Sequence, residues 1–226
     1  MGCSSGPDVV EDGLVFCVDA GSKRSYSGSG TTWIDTVGGN NGTLTNGPTF
    51  DSGNGGNVVF DGSDDRVDCA SPSELNNISE ITVIAWINYS SVGYFPKIIS
   101  RGHQKAIDFL RGHNDNSLYF YYSDNNQIQY SNYFNTAIGS INLSSGWVCV
   151  AVTSGTVVRF YKNSRPLYTS SSVTTNTGTQ STLVLGNRPG GGRPFDGKMG
   201  LAMVYNRVLT ADEIRRNYLS TKERYQ

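Results

Sequence analysis

The chain is 226 residues long and carries 18 basic and 19 acidic residues, a net charge of -1, with only 16% of its residues charged. With no basic run longer than Arg215-Arg216 there is no stripe to track a phosphate backbone, which excludes nucleic acid as a partner. No window approaches the roughly 18 consecutive apolar residues of a membrane span, and the start lacks a charged segment followed by an apolar one, so neither membrane insertion nor a secretion signal is expected.

The composition, with Gly 27 and Tyr 13 and few helix formers, predicts an all-β chain, and a sandwich of this length forms one domain. Met1-Gly2-Cys3-Ser4-Ser5-Gly6 fails the myristoylation pattern, because Gly6 stands where Ser or Thr is required. Residues 1–12 read as a polar, acidic arm that would fray unless tied down, a candidate docking segment for a neighbouring subunit, and the domain is expected over 13–226. The first strand begins at Leu14-Val15-Phe16-Cys17-Val18; short edge strands follow at Thr32-Trp33-Ile34 and Thr43-Leu44-Thr45 among Gly, Ser, Thr and Asn loops. Asn57 to Phe60 and Arg66 to Cys69 flank the acidic turn Asp61-Gly62-Ser63-Asp64-Asp65.

Ile81 to Ile87 alternates with both faces apolar, as a central strand does. Short strands are expected at Leu118 to Tyr122, Ile128 to Tyr130 and Leu183 to Leu185. Trp147 to Thr153 and Thr156 to Tyr161 form a hairpin, after which Lys162-Asn163-Ser164-Arg165 turns the chain again. Only the C-terminus reads as helix: Thr210-Ala211-Asp212-Glu213 is a capping box, Leu209 and Ile214 hold the staple positions, and Lys222 and Arg224 suit the negative end of the dipole. The four cysteines, Cys3, Cys17, Cys69 and Cys149, include no CxxC pair, and two lie in apolar runs, so free thiols and assembly in a reducing compartment are expected.

Phe195 through Ile214 resembles the closing strand and helix of the laminin-G-like, concanavalin-A-like lectin/glucanase superfamily. Gly13 to Gly21, Trp33 to Gly42, Val59 to Asp65, Ile81 to Ile87 and Trp147 to Thr153 extend the likeness over most of residues 13 to 220. The resemblance implies a two-sheet antiparallel jelly-roll sandwich with one short C-terminal helix. The variety most resembled is the stand-alone module of marine bacteriophage virion proteins, on the Asp-Ala-Gly and Asn-Asn-Gly-Thr-Leu turns. That variety implies a capsid decoration, fibre or tail adhesin, assembled in the host cytoplasm, that contacts other virion proteins such as the major capsid protein as well as cell-surface glycans; a homo-oligomer is a separate candidate expectation. The chain departs from the family at Asn163-Ser164, where Asn-Gly is usual.

Glucanases need two carboxylates flanking the scissile bond, and the strand trio of Glu, Asp and Glu that supplies them is missing among Glu11, Glu74, Glu80, Glu213 and Glu223. The two histidines, His103 and His113, sit in Arg-Gly-His turns without a nucleophile motif, so no catalytic residue is expected and the chain reads as a non-enzyme. Asp61, Asp64, Asp65 and Asp68 offer oxygens to a hard cation, making calcium the candidate cofactor against a plain turn. Tyr94, His103, Tyr119, Tyr121, Asn125 and Tyr130 are the candidate ligand-binding residues, because tyrosines stack on sugar rings and amides bond hydroxyls. Trp86 reads either as core or as facing a concave ligand face. The expected function is a non-catalytic virion structural or attachment protein; the alternative is a cellular or secreted, extracellular carbohydrate-binding module.

Overall fold

A computed structural model describes residues 8–90, 96–102, 107–111, 118–122, 146–169 and 182–226. In chain order the strands are β1 (Leu14–Asp19), β2 (Thr32–Trp33), β3 (Gly42–Thr45), β4 (Thr49–Asp51), β5 (Asn57–Asp61), β6 (Arg66–Ala70), β7 (Ile81–Tyr89) and β8 (Lys97–Arg101). They continue as β9 (Ile107–Arg111), β10 (Leu118–Tyr122), β11 (Trp147–Ser154), β12 (Val158–Lys162), β13 (Arg165–Thr169), β14 (Thr182–Leu185) and β15 (Asp196–Tyr205), before helix α1 (Ala211–Thr221). Ile128 to Tyr130, read as a strand in the sequence, lies outside the described residues.

All pairings are antiparallel and build two sheets. The eight-stranded sheet runs β13-β12-β11-β7-β15-β5-β4, with β1 also on β15, and the seven-stranded sheet runs β10-β9-β8-β14-β6-β3-β2. The first part of β15 pairs with β5 and the second with β1, both along one edge, while β7 lies along the other. The expected two-sheet sandwich is therefore the observed one.

Alternation along β7 explains both apolar layers. Ile81, Val83, Ala85 and Ile87 enter the core between the sheets, and Ile84 and Trp86 face the opposite side. That outer layer is roofed by α1 and the residues after it. The Trp86 ring stacks on Tyr225 at 4.3 Å and on Tyr218 at 5.6 Å, and its Nε1 donates to Thr221 Oγ1 at 2.8 Å. Burial of this kind stabilises by about 1.5–3 kcal/mol per large side chain, which accounts for the roof holding. Trp86 is thus core, and the alternative of a ligand-facing tryptophan is corrected. Tyr225 lies against Gly200, where any Cβ would run into its phenol, so the glycine makes the close approach of the roof to β15.

The capping box is formed as read: Glu213 N donates to Thr210 Oγ1 at 3.2 Å and Thr210 N to Glu213 Oε2 at 2.8 Å. Leu209 and Ile214 are buried beside it. Arg224 does not serve the helix dipole, because the chain turns after α1 and the guanidinium pairs instead with Asp19 at 2.7 Å.

Residues 8–12 pack against α1 and the end of β15 of the chain itself. Val10 is 5% exposed; its N donates to Asn217 Oδ1 at 2.8 Å and its O accepts from Tyr205 Oη at 3.0 Å. Arg216 Nε donates to Asp8 O at 2.7 Å. Residues 8–12 are held because a buried Asn–Tyr pair satisfies the backbone of Val10, a contact across the whole chain that local composition does not reveal.

Candidate functional site

With the outer face of the eight-stranded sheet roofed by α1, the polar surface of interest is one end of the sandwich. Three connections meet there, β3–β4, β5–β6 and β14–β15, beside the end of β7 and the start of β8. They are tied to one another by Asn46 Nδ2 to Asp64 O (3.1 Å), Ser90 N to Asp196 O (3.0 Å), Lys97 N to Arg193 O (3.1 Å) and Gly186 N to Ile98 O (3.0 Å).

The buried side chain of Asn187 organises this end. Its Oδ1 accepts from Arg188 N and Arg193 N, both at 2.9 Å, and its Nδ2 donates to Asp65 O at 3.4 Å. One amide therefore closes the β14–β15 loop on itself and clamps it to the acidic turn. A second bond, Phe195 N to Gly186 O at 2.8 Å, shuts the neck of the loop.

Asp61, Asp64 and Asp65 each offer an oxygen, all within 4.8 Å of one another. Asp65 Oδ2 accepts from Asp61 N at 2.9 Å and Asp61 Oδ1 from Ser63 N at 2.8 Å, so two of the carboxylates also brace the turn, as short acidic side chains do in loops. Burial raises the Asp65 carboxyl above the ordinary range, and the neighbouring Asp61 and Asp64 charges push the same way. The spacing and the hard oxygen donors fit a calcium ion, whose ligand distances of about 2.3–2.6 Å place its oxygens this far apart. Asp68 is not one of the set: it pairs with Arg66 at 2.9 Å and accepts from Thr45 Oγ1 at 2.8 Å, because β6 aims it across the sheet.

Of the residues picked from sequence, Tyr94, His103, His113, Asn125 and Tyr130 lie outside the described residues. Tyr119 and Tyr121 stand in β10, in register with Leu110 and Asp108 of β9. The sequence reading missed Asn187, whose role rests on a partner 122 residues away. The only local signal was its place just ahead of the Gly-rich loop.

Chemically reactive groups are muted. Glu11, Glu74, Glu80 and Glu223 are exposed, Glu74 and Glu223 in single 3-10 turns. Glu213 is held by Arg207, with Nη2 to Oε1 at 2.6 Å, and this pair lowers its carboxyl to about 2. Cys17, Cys69 and Cys149 are free, and burial pushes all three thiols up, Cys17 and Cys149 to about 12. A thiol so buried is a poor nucleophile at neutral pH.

Two antiparallel sheets stacked face to face, closed by one helix and carrying their polar loops at one end, define a lectin-type sandwich. The family described as the concanavalin A-like lectin/glucanases superfamily matches residues 61–215, and the chain belongs to it. No curated protein matches the sequence. Among solved structures, domain 4 of AbnA, a GH43 extracellular arabinanase from Geobacillus stearothermophilus in complex with arabinotriose, superposes with a TM-score of 0.66 at 14% identity, covering 92% of this chain and 100% of that one. The binding domain of Paraclostridial Mosquitocidal Protein 1 gives 0.66 at 13% identity, over 91% of this chain and 52% of its own. Trypanosoma rangeli sialidase gives 0.63 at 15% identity, over 98% of this chain and 35% of its own. The chain thus spans the whole of the first neighbour, about half of the second and about a third of the third. No helix among the described residues is long and apolar enough to cross a membrane.

Proposed function

We propose that this chain is a non-catalytic glycan-binding module whose ligand sits on the loop end braced by Asn187. The observation that carries the reading is this end itself: the described β3–β4, β5–β6 and β14–β15 loops are bonded to one another and present clustered polar groups and backbone amides. Ordered loops cost little to organise on binding, which is what a weakly hydrophobic ligand such as an oligosaccharide requires. The arabinotriose complex of the matching arabinanase domain supports the same reading. Asp61, Asp64 and Asp65 would hold a calcium ion there, which would add a hard positive charge beside the ligand.

The absence of catalysis is supported by where the carboxyls lie. A glycosidase needs a raised acid within reach of the glycosidic oxygen. The one raised carboxyl among the described residues, Asp65, is 3% exposed and holds the Asp61 amide. Placement on a virion, with capsid proteins as partners, rests on the resemblance of the N-terminal turns alone; mass spectrometry of purified particles would reveal the chain there.

The test is calorimetric titration of a panel of oligosaccharides, with product analysis of the same mixtures. Saturable binding with no cleaved product is expected. Cleavage of any member, or no binding across the panel, would overturn the proposal.

A further inference from the structure

The β14–β15 loop contains Arg188-Pro189-Gly190-Gly191-Gly192-Arg193 at its tip, and Arg188 is exposed. Its guanidinium is nonetheless fixed. Nε donates to Gly191 O at 2.6 Å, and Gly191 N donates back to Arg188 O at 2.9 Å. Gly190, Gly191 and Gly192 all take positive φ, between 79° and 88°, which lets the chain curl tightly enough for that bond. At Gly192 a Cβ would lie 3.1 Å from Arg188 Nη2, so a side chain there would press on the guanidinium. At Gly190 and Gly191 a Cβ would meet nothing within 4 Å, so the space beside the fork is open.

Among the described residues neither terminal nitrogen of Arg188 has a hydrogen bond or ion pair, although Asn187 clamps the same loop to the acidic turn through Asp65 O. A cation held by its inner nitrogen, with its outer donors unspent, has lost most of its rotamer freedom before any ligand arrives. Its planar donors match two oxygens of one acid group.

We infer that Arg188 forms an oxyanion subsite, taking the carboxylate or sulfate ester of an acidic sugar through its two Nη groups, with the open Gly190-Gly191 backbone beside it. The inference rests on the glycan-binding reading and names the class of its ligand. Arg188 is a binding residue; Asn187 and the three glycines position it.

The experiment titrates the full chain with sialylated, uronate-bearing and sulfated oligosaccharides, each set against its neutral parent. The same titrations follow on Arg188→Ala and Arg188→Lys. At least one acidic member should bind more tightly than its parent by about tenfold or more, the worth of a charge-assisted pair, and the sialylated and uronate arms against the sulfated arm tell carboxylate from sulfate ester. Arg188→Ala should remove that advantage, so that the variant binds the acidic member no more tightly than it binds the neutral parent. Arg188→Lys should recover only a small part of it, because an ammonium keeps the charge and loses the fork. Equal affinity for acidic and neutral members, or an unaltered advantage in Arg188→Ala, overturns the subsite and leaves the glycan reading standing. A panel in which nothing binds overturns both.

Discussion

The Glu213 carboxylate stands at a crossing of three local demands. It accepts from Thr210 N, receives the Arg207 guanidinium through both oxygens, and sits in the first turn of α1 where the helix dipole favours negative charge. Arg207 in turn reaches Asp12 at 2.9 Å, so one residue ties the arm to the helix. The pair with Arg207 lowers the Glu213 carboxyl from 4.5 to about 2. Because the folded value is the depressed one, the contribution is whole above about pH 4.5 and is lost as the pH falls toward 2. Denaturant unfolding from about pH 6 down to about pH 2 should therefore show the wild type losing on the order of 1–2 kcal/mol more than Glu213→Gln, a figure reduced for partial exposure. Parallel pH profiles would show that the pair adds nothing. This site was half legible: Thr210 and Glu213 announce a capping box by spacing, whereas the Arg207 and Asp12 partners follow only once β15 delivers the chain beside the arm.

At the scale of elements, local pattern was most informative where period and turn chemistry agree. Ile81 to Ile87 reads as a central strand because residues on both faces are apolar, and Trp147 to Thr153 as the first arm of a hairpin; β7 and β11 are these strands and pair with each other. Strands β4, β8, β9 and β13 escaped notice. Lys97-Ile98-Ile99-Ser100-Arg101 is bracketed by charge, and β13 contains Pro166, which signals a loop but is tolerated on an edge strand. The β12–β13 turn shows the cost of a departure from pattern. Asn163 and Ser164 take φ of 48° and 64°, the double left-handed turn that suits a hairpin, and serine adopts it at the expense of about 1 kcal/mol. Asn163 also accepts from Cys149 N at 2.9 Å, so the turn is pinned at its first position. Ser164→Gly should accordingly raise unfolding stability by about 0.5–1 kcal/mol, read by chemical denaturation. An unchanged or lower stability would mean that the serine side chain stabilises the turn by more than the strain it bears.

For the whole molecule, the consequence of topology is that one sheet face is given away. Trp86, Tyr218, Tyr225 and the Asn217–Tyr205–Val10 network fill the outer side of the eight-stranded sheet, so its central aromatics stabilise the fold and do not meet ligand. The proposed recognition site is the loop end, where the acidic turn was visible as a short run of aspartates and the Asn187 clamp was not. Its partners are distant in sequence and its loop, rich in glycine, carries no periodic signal. The direct measurement is the change in backbone amide chemical shifts of the labelled chain on titration with the oligosaccharide that binds best. Shifts confined to residues 45–48, 61–66 and 186–195 among those described are the predicted result; principal shifts at Trp86, Tyr218 and Tyr225 would contradict it.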